Sequence, residues 1–301
     1  MNFPAAKSIT LSRAHEHRRT DDLETQLADA AGFARRYAIA AIWAAQAGHP
    51  GRALSCADIL ACLYGAELNV WPSSLADPDR DRFVLSNAGA APAFYAIAAH
   101  YGFCAPHEVL TFGKLGSPFQ PHPHARDLSF VEASTASAGQ GFSQAMGMAM
   151  GLKLQRRPAR VYALLGEDEV QEGQVWETAA CASYHGLDNL CAIIDCSTHR
   201  DGVGRIPRIE PLASKWRACD WAVIEINGHD IAQILAAFRR TGSVHGRPAL
   251  IIAHTMSGKG VPSWEGAPRW KRNSKLSYQQ AEEALTALGA GPKEVMELLN
   301  A

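Results

Sequence analysis

The stretch LLGEDEVQEGQVWE, Leu164 to Glu177, places five carboxylates in one short turn and the helix start behind it, directly after an apolar run: Glu167, Asp168, Glu169, Glu172 and Glu177. Like charges at this density repel, so a cation or a feature of the fold must hold them. A hard divalent ion such as Mg²⁺ binds through carboxylate oxygens. The first turn of a helix also stabilises acidic side chains, through its free N–H groups and its dipole. Gly166-Glu167-Asp168 stands nearest the end of the apolar run and is the part that suits a cation. Glu169, Glu172 and Glu177 suit the helix start.

Chemistry at a turn needs elements that place it. Five runs, RFVLS (82–86), VYALLG (161–166), CAIID (191–195), AVIEI (222–226) and PALIIAHT (248–255), are nearly continuously apolar, the pattern of strands buried on both faces. Helical periodicity fills residues 21–47, 55–65, 91–101, 139–155, 173–185 and 230–240. The alternation predicts an α/β fold, a doubly wound parallel sheet flanked by helices. In such a sheet the loops NAGA, GEDEVQEG, CSTHRDG, NGHD and MSGKG share one rim at the carboxyl ends of the strands, where ligands bind. For any one of these loops the plainer account is that turns use Gly, Asp and Asn. Asp230 in NGHD reads as an N-cap. Within residues 137–155, Gly147 and Gly151 lie one turn apart. Glycine inside a helix costs about 0.5–1 kcal/mol, so close backbone packing at a core or a subunit interface is expected there.

Bulk properties exclude several function classes. Of 301 residues, 47% are hydrophobic and 20% charged, with a formal net charge of -1, which gives no field to draw in nucleic acid or a membrane surface. No run reaches the ~18 apolar residues of a bilayer span. Seven cysteines without C-x-x-C spacing argue for reduced thiols and a cytoplasmic location. Residues 1–20 lack an apolar run and read as a tail without a secretory signal, followed by one domain over 21–301.

Six blocks, GHPGRALSCADILACLYG (48–65), VEASTASAGQG (131–141), QEGQVWE (171–177), HGLDNLCAIID (185–195), PLASKWRACDWAVIEINGHD (211–230) and SGKGVPSWE (257–265), occur in order. Together they resemble the N-terminal, diphosphate-binding domain of transketolases, from about residue 20 to residue 290. Those enzymes bind thiamine diphosphate between two domains. One holds the diphosphate and Mg²⁺; the other holds the aminopyrimidine and supplies the activating carboxylate. This chain has room for the first only. The resemblance therefore implies the smaller member of a split transketolase, self-associating into a heterotetramer that is completed by a separate pyrimidine-binding C-terminal subunit.

The family's metal loop reads Gly-Asp-Gly, with an Asn about 30 residues on. Here the loop is Gly166-Glu167-Asp168, and Ser197 falls at the Asn position, with Thr198 as a one-residue alternative. By resemblance, Glu167, Asp168 and Ser197 are the candidate ligands of Mg²⁺ or another divalent cation, and Gly139, Gly166, Glu167, Asp168, Ser197 and Lys259 the candidate cofactor contacts. Asp168 replaces a Gly. A carboxylate about 4 Å from a phosphate charge costs about 4 kcal/mol at an effective dielectric near 20, about a thousandfold in affinity, unless a cation stands between them. Other positions depart as well. The family's Lys-Gly-His-Ala is Asn87-Ala88-Gly89-Ala90, which loses a His; Ala136 and Ala138 replace a Gly and a bulky apolar residue; and Trp270-Lys271-Arg272-Asn273 stands for Trp-His-Gly-Lys.

His49 in GHPG and His122 in PHP match the family's substrate-side histidines, which orient a ketose and move protons near neutral pH; a structural role beside Pro is the alternative for each. Glu172 matches a carboxylate that links paired sites across the dimer. Arg269, Lys271 and Arg272 read as a sugar-phosphate clamp or a solvated loop. Two-carbon ketol transfer between sugar-type substrates is the leading reading. A cofactor-less scaffold or regulatory subunit is an alternative, and so is a repurposed site acting without ordinary thiamine diphosphate binding.

Overall fold

Successive side chains of a strand point to opposite faces, and here both faces are covered. The computed structural model describes residues 20–198, 210–266 and 275–301. β1 (Arg82–Leu85), β2 (Val161–Gly166), β3 (Leu190–Thr198), β4 (Ala222–Asn227) and β5 (Ala249–Met256) form one sheet in the order β1-β2-β3-β5-β4, with every neighbouring pair parallel. Tyr162, Leu164, Cys191, Ile193 and Ile251 enter one core, whereas Val161, Ala163, Leu165, Leu190, Ala192, Ile194, Leu250 and Ile252 enter the other. That alternation between two apolar layers is why the runs read as unbroken.

The first layer packs against α1 (Thr20–Ala45), α2 (Pro50–Ser55), α3 (Ala57–Cys62), α4 (Ala91–His100) and the short α5 (Pro106–Val109). The second packs against α6 (Gln140–Leu154), α7 (Gly173–Tyr184) and α8 (Leu212–Ala218), with Phe142, Trp216 and Trp221 in mutual edge and tilted contact within it. α9 (Ile231–Gly242), α10 (Tyr278–Ala287) and α11 (Pro292–Leu299) return to the first layer.

Four differences from the sequence reading have physical causes. The helix expected over 55–65 is three pieces: Pro50 starts α2 early, Cys56 at φ -88°, ψ 0° separates α2 from α3, and a π-helical turn, Leu63–Glu67, follows. β4 is an edge strand with Glu225 and Asn227 exposed, so it is buried on one face only. α8, α10 and α11 add helices that the periodicity did not mark, although the Ser277–Gln280 capping box announces α10. Among the described residues, a Cβ at Gly147 or Gly151 would meet no atom within 4 Å beyond their own helix, so the core half of the packing expectation is not realised there. Asp230 does cap α9, accepting the Gln233 N–H at 3.0 Å.

Where α6 begins, a Cβ on Gly141 would lie 2.7 Å from the Cα of Ser86, just past β1. Backbone cannot yield as a side chain can. Gly141→Ala is expected to cost about 1–3 kcal/mol, read as a lowered midpoint of thermal unfolding.

Candidate active site

Glu169 draws three loops together. Its buried carboxylate accepts the Ser86 hydroxyl at 2.5 Å and the Gly139 N–H at 2.9 Å through Oε1, and the Gly166 N–H at 2.7 Å through Oε2. One side chain thus fastens the segment after β1, the residue capping α6 and the end of β2. Burial pushes the Glu169 carboxyl up, and the three donors only partly offset that. Glu169 therefore faces inward and serves the N-terminus of α6, not that of the adjacent α7. Glu172 takes the N-cap position of α7 by backbone only and is exposed, as is Glu177 on the same helix.

Asp168 has a different partner. Arg52, on α2, donates from Nη2 to Asp168 Oδ2 at 2.5 Å and from Nη1 to Asn87 Oδ1 at 3.5 Å. The guanidinium bridges the loops after β1 and β2, and its charge cancels that of the carboxylate at the Gly position. Asp168 Oδ1 is buried and accepts no hydrogen bond among the described residues; it is tucked so close to Gly166 that a Cβ there would meet it at 2.8 Å.

β3 contributes Asp195, buried at 3% exposure, which accepts the Ser55 hydroxyl through Oδ2 at 2.6 Å and the Thr255 hydroxyl through Oδ1 at 2.5 Å. Burial pushes its carboxyl up to about 6, against the pull of those two hydroxyls. The Glu167 N–H donates to the Asp195 carbonyl at 3.2 Å, so Glu167 sits at the junction of β2 and β3. Ser197 is buried two residues on, in register with Thr255 of β5. The β5 loop closes the rim: the Gly258 N–H donates to the Gly51 carbonyl at 3.1 Å, and Lys259 lies 3.7 Å from Glu265.

Gly139, Gly166, Glu167, Asp168 and Ser197 therefore share the rim at the ends of β1, β2 and β3, with Lys259 in the loop after β5. His49 is exposed at the N-cap of α2, and its carbonyl accepts the N–H groups of Arg52 and Ala53. His122 is exposed and makes no hydrogen bond or ion pair among the described residues, so no contact ties it to the rim. Thr198's side chain and residues 269–274 lie outside the described residues. The sequence reading missed Arg52, Asp195 and Ser55. Arg52 had a signal, a lone basic residue in the Gly-His-Pro-Gly block; Asp195 had one too, a carboxylate closing a buried apolar run.

A family model described as the transketolase, thiamine diphosphate binding domain matches residues 26–300. The chain belongs to the transketolase family. It is 33% identical over 253 residues to one subunit of the apulose-4-phosphate transketolase of Phocaeicola vulgatus, covering 83% of this chain and 89% of that one. A 6-deoxy-6-sulfo-D-fructose transketolase subunit of a Clostridium species is 36% identical over 244 residues, covering 80% and 88%. Among solved structures, the transketolase of Campylobacter jejuni superposes with a TM-score of 0.77 at 27% identity, over 93% of this chain and 47% of that chain. The chain thus spans most of the two subunits and less than half of the solved transketolase. It is the N-terminal subunit of a transketolase-like transferase.

Among the described residues no three His, Cys, Asp or Glu side chains converge on a point that suits a metal. That does not count against the transketolase arrangement, where Mg²⁺ takes few protein ligands and keeps other oxygens. The donor set fits a hard cation and a diphosphate. Asp168 Oδ1 has no donor among the described residues, the ends of parallel strands meet the N-terminus of α6, and Arg52 removes the repulsion that Asp168 alone would exert.

Proposed function

We propose that this chain is one half of a two-polypeptide transketolase, transferring a two-carbon ketol unit between sugar-type substrates together with a separate pyrimidine-binding subunit. The observation that carries the reading is coverage: the chain matches most of the length of two transketolase subunits, and less than half of a one-chain transketolase. Both relatives are named for a sugar with an anionic group, a phosphate in one and a sulfo group in the other. An anionic ketose is accordingly the proposed substrate class.

Thiamine diphosphate, when bound, supplies the carbon nucleophile of the transfer. The residues of this chain bind and orient. Gly139, Gly166 and Lys259 would face the diphosphate, and Glu167, Asp168 and Ser197 would hold Mg²⁺. His49 and His122 are proposed to contact the substrate and carry protons. Glu172, exposed at the start of α7, is proposed to reach a second copy, where the open Gly147–Gly151 face of α6 suits close packing in a heterotetramer. The seven free thiols support a cytoplasmic setting, and among the described residues no helix is long and apolar enough to cross a membrane.

The ion pair between Arg52 and Asp168 also favours the rival reading, a subunit that keeps the fold while its own side chains neutralise the diphosphate corner. Calorimetry with thiamine diphosphate and Mg²⁺ separates the two, run on the pyrimidine-binding subunit, on this chain and on the mixture, alongside a ketol-transfer assay. Saturable binding and turnover are expected in the mixture only. Absence of binding in the mixture would establish the rival, and turnover by this chain alone would overturn the split site.

A further inference from the structure

Arg52 is placed as though presented to a ligand. It lies on α2 three residues after His49, and its fork reaches over the ends of β1 and β2. The Arg52 stem passes directly over residue 89, which has no side chain: a Cβ on Gly89 would come within 2.5 Å of Arg52 Cδ. Gly89, Arg52 and Asp168, separate in sequence, are therefore one feature. The guanidinium carries five N–H donors. Among the described residues only Nη2 makes a short bond, to Asp168, while the contact of Nη1 with Asn87 is stretched to 3.5 Å. With 29% of its side chain exposed, Arg52 keeps donors directed at the rim. A partly exposed ion pair contributes little to stability by itself, whereas an oriented guanidinium fork matches the oxygens of a phosphate.

We propose that Arg52 is a phosphate-binding residue of this site, donating directly to an oxygen of the diphosphate, with Asp168 as the positioning residue that aims the fork. The inference rests on the cofactor reading above and adds a contact that the matched motifs did not supply. It differs from simple neutralisation of Asp168 in a way that can be measured. If Arg52 only cancels the Asp168 charge, it becomes dispensable once that charge is gone. If it touches phosphate, it does not.

The experiment titrates magnesium pyrophosphate by calorimetry into the mixture of this chain with the pyrimidine-binding subunit, comparing wild type, Asp168→Gly, Arg52→Ala in the Asp168→Gly background, and Arg52→Lys in the same background; thermal melts check that each is folded. Asp168→Gly, which removes the carboxylate that aims the fork and a proposed Mg²⁺ ligand, should still bind, more weakly than wild type by roughly tenfold or less. Adding Arg52→Ala should weaken binding roughly tenfold or more, and Arg52→Lys, which keeps the charge without the fork, should fall between. Equal affinities for Asp168→Gly and the Ala double variant would overturn the inference. So would failure of Asp168→Gly to bind pyrophosphate, an outcome that leaves the function to be judged by turnover of the mixed subunits.

Discussion

Glu169→Ala should cost about 3–5 kcal/mol of stability, and Glu169→Gln nearly as much. The carboxylate is the common acceptor for the Ser86 hydroxyl and for the N–H groups of Gly139 and Gly166, all in a dry corner. Each buried donor left without a partner costs about 1–3 kcal/mol. The hydroxyl can turn elsewhere; the two backbone groups cannot. Glutamine, usually the mild replacement, fails for a geometric reason. Its single oxygen can serve the Gly139 side or the Gly166 side, and its NH₂ then points at an N–H on the other. The urea midpoint should drop with an unchanged slope, and amide hydrogen exchange should accelerate at Gly139 and Gly166 before it does in the strands. A Glu169→Ala protein within about 0.5 kcal/mol of wild type would mean that solvent, rather than this carboxylate, satisfies the corner.

The five carboxylates between Glu167 and Glu177 show how far sequence alone carries. Local pattern set the strands: each apolar run became a strand because both of its faces meet a helical layer, and period is a local property. It also set the rim, because parallel strands must end together. The partners of the charges are another matter. Glu169 is stabilised by Gly139 and Ser86, and Asp168 by Arg52, 116 residues earlier in the chain. No spacing rule links such positions. Asp168 read alone implied a penalty of about 4 kcal/mol against phosphate; read with Arg52 it is half of a neutral pair. The lost His at Gly89 changes meaning likewise, since its absence makes the room that Arg52 fills. Departures that look like decay one by one are mutually consistent in three dimensions, and for that reason they favour a rebuilt site over an abandoned one.

A loss of stability of the same size is expected away from the candidate ligands, at Arg35. Its guanidinium grips Asp58 with Nη1–Oδ1 at 3.0 Å and Nη2–Oδ2 at 2.5 Å, and its Nε donates to the Leu54 carbonyl at 3.1 Å. His229 completes the network: the Met256 N–H donates to its Nε2 at 2.8 Å, so the ring proton sits on Nδ1, which donates to Asp58 Oδ2 at 2.7 Å. α1, α2, α3, the loop after β4 and the end of β5 are thereby joined beneath the rim. Both ion-pair side chains are about nine-tenths buried. Arg35→Met strands the Asp58 charge in a dry site, for an expected cost of about 3–5 kcal/mol. Adding Asp58→Asn should restore much of it, because the charge is gone while an oxygen still accepts from His229.

The pH dependence has a definite sign. Burial raises the Asp58 carboxyl, but the His229 hydrogen bond and the Arg35 guanidinium outweigh it, leaving it below its ordinary 3.8. Its contribution is complete above that value and is lost as pH falls through the lower folded-state value. Arg35→Met removes much of the depression. Urea titrations at a series of pH values should therefore find the gap between wild type and Arg35→Met widest near neutrality and closing below pH 3.8, while the Arg35→Met, Asp58→Asn pair tracks pH less steeply than wild type there. A gap that stays constant into acid would mean that Arg35 acts through packing of its stem and not through the charge of Asp58.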